Sequence, residues 1–230
     1  MTKLFLILLM AWPSLVQART LSQLRTDARV LVSDNGTRTR FSDSVINNWL
    51  NEGQRLLAAR TMCFKTSVKM AMTARTTYYS MPTNFIAASR VVSADQALTE
   101  MSVAGLDGKS RGWEIATGQP TYYFVNFSSR GKLGLAPFPS SSEDGDPFKV
   151  EYYAYPDTMS ADGDSPFNGN PEFTAHHHGL PFYAAMQMSL VDGRPDQAKA
   201  HLDIFMAYQQ MINASCKDRP DYLPQAAGRQ

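Results

Sequence analysis

Apolar residues recur at helical spacing at both ends of the chain and alternate with polar ones in its middle. Thr20 is a helix-capping residue followed by Leu21, Leu24, Ala28 and Leu31 on one face, which predicts a first helix. Asp34-Asn35-Gly36 is expected to stop it, because these residues tolerate a left-handed turn. Ser42 opens a second helix with Phe41 placed to staple onto Ile46. Its stripe of Val45, Ile46, Trp49, Leu50, Leu56 and Leu57 is the cleanest periodicity in the chain. Two antiparallel helices follow from the short connection.

After Met62 the period changes from helical to alternating. Val68, Met70 and Met72 alternate with polar or small residues, and Thr76 to Tyr79 continues in strand-favouring types. Val91-Val92 and Leu98 to Val103 are further short strand candidates. Thr121 to Phe127 is the strongest strand, and a turn at Ser128 to Gly131 leads to Lys132–Leu135 as a hairpin. Phe148 to Tyr155 is a last strand before Pro156. With no helical crossover in view, this region reads as antiparallel β. Ser140 to Asp146 and Ala161 to Asn170 read as exposed, mobile loops.

Helical spacing then returns. Leu180 to Leu190 is apolar and rich in Ala and Met, Asp192 to Pro195 is a turn, and Ala198, Leu202, Phe205, Met206 and Ile212 repeat on one face. The expected fold is α+β: a four-helix bundle (20–62 and 171–216) interrupted by an antiparallel β insert (63–170). An extended arm (217–230) follows, with Pro220 and Pro224. Residues 1–19 form an apolar extension or signal-like leader. Lys3, the run Leu4 to Trp12 and Val16-Gln17-Ala18 are its three parts, and cleavage would leave Arg19 first. Nine apolar residues fall short of the roughly 20 that span a bilayer, so no membrane span is expected.

Composition alters this picture in one respect. The 230 residues carry 22 Lys and Arg against 21 Asp and Glu, a balance that argues against a nucleic-acid coat. The sum conceals a charge of +7 over residues 19–90 beside −7 over residues 91–200. A basic helical end and an acidic β end would face different partners, although solvated faces of either sign are as reasonable an account.

Candidate chemistry is sparse. His176-His177-His178 invites a metal, but adjacent side chains diverge on a helix or strand, so a polar lead-in to the next helix is preferred. Asp144-Gly145-Asp146 and Asp162-Gly163-Asp164 lack the continuation of a calcium loop and read as solvated turns. Cys63 and Cys216 stand 153 positions apart without a C-x-x-C partner, so two buried free thiols are expected. The sequons at Asn35, Asn126 and Asn213 carry little weight. Tyr122, Tyr123, Tyr152, Tyr153 and Tyr155 could form a carbohydrate platform, but packing is the ordinary role of Tyr on sheets. No catalytic, cofactor or metal residue is assigned, and the chain is expected not to be an enzyme. No P-loop, G-x-S-x-G or dinucleotide fingerprint occurs.

Taken in order, the segments resemble the head-to-tail adaptor (connector) proteins of tailed bacteriophages, those of short-tailed phages above all. The resemblance runs through Thr20 to Leu24, Phe41-Ser42-Asp43, Trp49 to Glu52 and Tyr79 to Phe85. It continues through Trp113, Gly118 to Tyr122, Leu133 to Pro139, Tyr152 to Pro156 and the closing helices from Leu180 to Ile212. It covers about residues 20–215, leaving the first 19 outside the pattern. It implies a structural virion protein with no active site and no cofactor, forming a ring, typically a dodecamer, beneath the portal protein. Tail or nozzle proteins would sit on its other side, and DNA would pass through the channel with non-specific contact at most. Arg25, Arg29, Arg38 and Arg40 are the expected portal or channel face. The virion, assembled in the host cytoplasm, is the implied location. The competing reading is a secreted or periplasmic β-rich binding module whose leader is removed.

Overall fold

A computed structural model describes residues 18–36, 39–109, 111–125 and 131–217. Helix α1 (Leu21–Leu31) starts at Thr20, whose hydroxyl accepts from Gln23 N while the Gln23 side chain accepts from Thr20 N. That reciprocal pair satisfies two otherwise orphaned donors. The helix stops earlier than the Asn-Gly signal suggests: Ser33, at φ 59°, takes the left-handed position. Asp34 explains this, since its buried carboxylate accepts from Arg40 N at 2.7 Å and from Arg29 Nη1 at 2.7 Å and fixes the turn.

Helix α2 (Asp43–Thr61) starts after Ser42, whose hydroxyl meets that of Ser44 at 3.0 Å rather than a backbone amide, and ends at left-handed Met62. It buries Ile46, Leu50, Leu57 and Ala58. Phe41 is buried and meets Trp49 edge-on at 5.7 Å. Helices α4 (Leu180–Val191) and α5 (Pro195–Lys217) close the described chain. Helix α4 packs on α1, α2 and α5, which is why it is apolar nearly all round. Gly53 permits the α2–α4 approach, since a Cβ there would lie 3.2 Å from the Tyr183 ring.

Eight strands lie between the helix pairs among the described residues: β1 (Lys65–Ala71), β2 (Tyr78–Ser80), β3 (Phe85–Ser93), β4 (Gln96–Ala97), β5 (Thr99–Glu100), β6 (Tyr122–Val125), β7 (Lys132–Ala136) and β8 (Pro147–Ala154). One sheet has the order β1-β8-β3-β4 and is antiparallel, with Val68 opposite Val150 and Val91 opposite the same residue. The other has the order β2-β7-β6-β5. The β6–β7 hairpin is present, while residues 126–130, the end of the predicted strand and most of the predicted turn, lie outside the described residues.

Three expectations about this region are corrected. The sheets are not wholly antiparallel: β5 runs parallel to β6, joined by a crossover that contains α3 (Val103–Lys109). The alternating reading of Leu98 to Val103 missed that helix, whose two glycines weaken any helical signal. The second predicted loop is not simply exposed. Pro166–Gly169 and Pro171–Gly179 are 3-10 turns, and Phe167 is buried between Phe64 and a stacked Phe173 at 4.8 Å. An aromatic in a polar segment can pull its backbone into the core, which composition does not reveal. Finally, Cys63 and Cys216 are buried but not free: they form a disulfide with Cα atoms 6.0 Å apart. The ends of α2 and α5 lie side by side, a proximity invisible to spacing along the chain.

The core is a continuous cluster from α1, α2, α4 and α5 to the β1-β8-β3-β4 sheet, with a smaller one at Leu106, Trp113, Phe124 and Ala136. Gly134 lies beneath the Phe124 ring, where a Cβ would come within 2.3 Å of Cζ.

Candidate functional site

Of the four arginines expected to form a contact face, Arg38 lies outside the described residues. The other three converge where α1, the α1–α2 loop and the α4–α5 turn meet. Arg25 bonds Asn47 Oδ1 at 3.3 Å and pairs with Asp43 at 3.4 Å and Asp162 at 3.0 Å. Arg29 bridges Asp34 at 2.7 Å, Asp43 at 2.6 Å and the Phe41 carbonyl at 2.8 Å. Arg40 pairs with Asp192 and with Asp34, the latter at 3.5 Å.

These guanidinium groups are therefore compensated within the chain. The side chains of Arg25 and Arg29 are only 13% and 12% exposed, against 42% for Arg40. A planar, permanently charged fork suits several fixed acceptors at once. Arg40 is the one of the three whose charge reaches solvent, and Asp192 draws the α4–α5 turn onto the α1–α2 loop through it.

A second seam, which the sequence reading missed, joins α2 to the segment after β8. Asn51 and Gln54 sit one helical turn apart among the buried residues of α2. Asn51 Nδ2 donates to the Met159 carbonyl at 3.0 Å, and Asn51 Oδ1 accepts from Met159 N at 2.8 Å. Gln54 Nε2 donates to the Asp157 carbonyl at 2.9 Å, and its Oε1 accepts from Phe167 N at 3.1 Å. Main-chain bonds from Leu21 N to Asp164 O at 2.8 Å and Ser22 N to Asp162 O at 3.2 Å continue the seam to the start of α1. The signal was present as two amides inside an apolar stripe. Such amides need partners from elsewhere in the fold.

The histidines behave differently from a polar lead-in. His176 and His177 are buried in the 3-10 turn that precedes α4. His177 Nδ1 accepts from Arg19 N at 3.2 Å, while Nε2 has no hydrogen-bond partner among the described residues. Burial, with smaller contributions from the charges of His178 and His176, pushes its pKa down to about 4. Among the described residues no group of His, Cys, Asp or Glu could hold a metal ion. The Asp-rich turns are engaged by the protein itself: Asp164 Oδ2 accepts from Ser160 N at 2.7 Å and Ala161 N at 2.8 Å, which lowers its pKa, and Asp144 Oδ1 accepts from Ala74 N at 2.9 Å. The tyrosines are divided, with Tyr123, Tyr152 and Tyr153 buried. Tyr155 instead lies under the Arg55 guanidinium at 4.5 Å, so the five make no shared platform.

The geometry is thus that of a clamped helical end and a sewn-on β region. Comparison with known families agrees with the resemblance: the chain matches the SU10 adaptor protein family over residues 19–229 and belongs to it. This is a family of phage head-to-tail adaptors, so the protein is a bacteriophage structural adaptor. No curated protein matches the chain. Among the described residues no helix is long and apolar enough to cross a membrane.

Proposed function

We propose that this adaptor assembles as a ring between the portal protein and the next tail component, with DNA passing through its channel and no catalysis of its own. The observation that carries the reading is the family match across residues 19–229, which takes in both helix pairs and all eight described strands. In this reading residues 20–62 and 171–216 act as one four-helix bundle and 63–170 as a β insert, while the expected C-terminal arm, from residue 218 on, lies outside the described residues. The first 19 residues are an apolar extension. Twelve copies is the proposed stoichiometry and the virion the proposed location.

The α1–α2 edge is the proposed portal or channel face, with Arg38 and Arg40 supplying its charge. Arg25 and Arg29 shape it through Asp34, Asp43 and Asp162. The test is the pair Arg38→Gln and Arg40→Gln, assayed by co-sedimentation with portal rings at several salt concentrations, with circular dichroism checking the fold because Arg40 also pairs with Asp34 and Asp192. The variant should dock more weakly and with less salt dependence. Unchanged docking at every concentration would remove this face from the proposal.

The Cys63–Cys216 disulfide favours a second reading, a secreted or periplasmic binding module, because such bonds persist in oxidising compartments. N-terminal sequencing separates the two. Arg19 as the first residue of the natural protein supports export, whereas an intact leader on particle-bound protein supports the adaptor.

A further inference from the structure

Strand β1 forms the longest open sheet edge among the described residues. The other edge strands, β2, β4 and β5, are two or three residues long, whereas β1 has seven. Two bonds at its ends show which way its main-chain groups point. Ala154 N donates to Phe64 O at 2.9 Å and Met72 N donates to Asp146 O at 2.8 Å, so even-numbered residues face β8 across the antiparallel ladder. Ser67, Lys69 and Ala71 therefore turn their N–H and C=O groups outward, and among the described residues no main-chain bond reaches them. All three residues are exposed. An edge of this length is a ready template for a further strand.

The chain itself brings a strand to that edge. Cys216 is bonded to Cys63, two residues before β1 begins, and the described chain ends at the next residue, Lys217. The segment 218–230 thus sets out beside the start of β1, and extended it is long enough to run along the roughly 23 Å of that strand. Its sequence has the parity of an edge strand. Main-chain groups of alternate residues point to opposite sides of a strand, so Pro220 and Pro224, four apart, put their missing N–H groups on the same side. The other side, supplied by Arg219, Asp221, Leu223 and Gln225, keeps every donor.

We infer that residues 218–225 add to β1 of the same chain as an outer strand with the two prolines facing away from the sheet. The segment leaves from the first residue of β1 and so runs parallel to it. Counting both strands from the disulfide sets Pro220 level with Ser67, Tyr222 with Lys69 and Pro224 with Ala71. In that register the outward N–H groups of β1 donate to the carbonyls of Arg219, Asp221 and Leu223. The N–H groups of Asp221, Leu223 and Gln225 donate back to the carbonyls of Ser67, Lys69 and Ala71. The side chains suit the same register. Asp218 comes level with Lys65, and Leu223 with Met70, which packs against the core. Tyr222 comes level with Lys69, in the way that Tyr153 already lies under Lys65 at 5.4 Å. The inference concerns the single chain and does not rest on the ring or the portal.

Amide hydrogen exchange on the full chain tests it. Ser67, Lys69 and Ala71 should exchange about tenfold or more slowly than in a chain stopped after Lys217, which keeps the disulfide. Thr66, Val68 and Met70, which face β8, should be equally protected in both and so report an intact sheet. Parity supplies the sharper comparison. Leu223→Pro removes a donor on the paired side and drives its ring at Lys69, so protection of Lys69 and Ala71 should be lost. Tyr222→Pro, on the outer side, should keep it. Equal exchange of the outward amides with and without residues 218–230 would overturn the inference. So would equal effects of the two prolines. Protection that rises with protein concentration would give the edge to the arm of another copy and overturn the pairing within one chain. Docking on the portal is scored separately, so failure of this strand and failure of the adaptor reading remain distinct results.

Discussion

Asn51 provides the sharpest test of how the β region is attached to the helices. It is 7% exposed and makes a two-way pair with Met159, donating to the carbonyl at 3.0 Å and accepting from the amide at 2.8 Å. Asn51→Leu keeps the number and branching of the side-chain heavy atoms but can do neither. Each stranded buried group costs about 1–3 kcal/mol, and the apolar gain from Leu offsets part of it, leaving roughly 2–4 kcal/mol. For a protein of this size that corresponds to about 4–16 °C in Tm. Urea denaturation followed by circular dichroism gives the free energy, and hydrogen exchange gives the location. The Met159 amide should lose protection before the α2 amides do. A loss below about 0.5 kcal/mol, or exchange at Met159 unchanged from the parent, would refute the claim that this pair fastens the segment.

Three further perturbations follow from the same coordinates. The double variant Cys63→Ser with Cys216→Ser opens a loop of 153 positions and should cost roughly 3–5 kcal/mol, with addition of a reductant to the parent reproducing the loss in denaturation curves. Gly134→Ala drives a methyl into the fully buried Phe124 ring and should lower stability by about 1–3 kcal/mol, read as a shift in Tm. For His177, the folded pKa of about 4 lies below the ordinary value near 6.5. Between these values the unfolded chain binds a proton that the folded chain refuses, so stability falls as pH drops from about 6.5 to 4 and then levels off. The loss should reach roughly 2–3 kcal/mol, and His177→Asn, which keeps an acceptor for Arg19 N, should flatten the slope of urea midpoint against pH.

Helices α1, α2 and α5 were legible because each writes its buried face at helical spacing beside its own punctuation, Thr20, Ser42 and Gly193-Arg194-Pro195, and α4 was legible as an apolar run. Strands β6, β7 and β8 were legible for the same local reason. What escaped was set by distant partners. Helix α3 forms in a glycine-containing segment where Leu106 finds a pocket with Trp113 and Phe124. Phe167 turns a polar stretch inward to meet Phe64 and Phe173, and Cys216 finds Cys63 only once α5 returns beside α2. Arg25, Arg29 and Arg40, expected to form a contact face, each lie in ion pairs with aspartates. A charge count could not show that Asp34, Asp43, Asp162 and Asp192 close on them. A local excess of +7 thus overstates the field that the described helical end presents.

We propose that this family member joins the portal as an adaptor. Native mass spectrometry of the full chain mixed with rings of its cognate portal protein tests it most directly. A discrete complex is expected, heavier than the portal ring by a whole set of adaptor chains matching the ring's symmetry, twelve for a dodecamer. A portal ring whose mass stays unchanged at saturating adaptor concentration would contradict it.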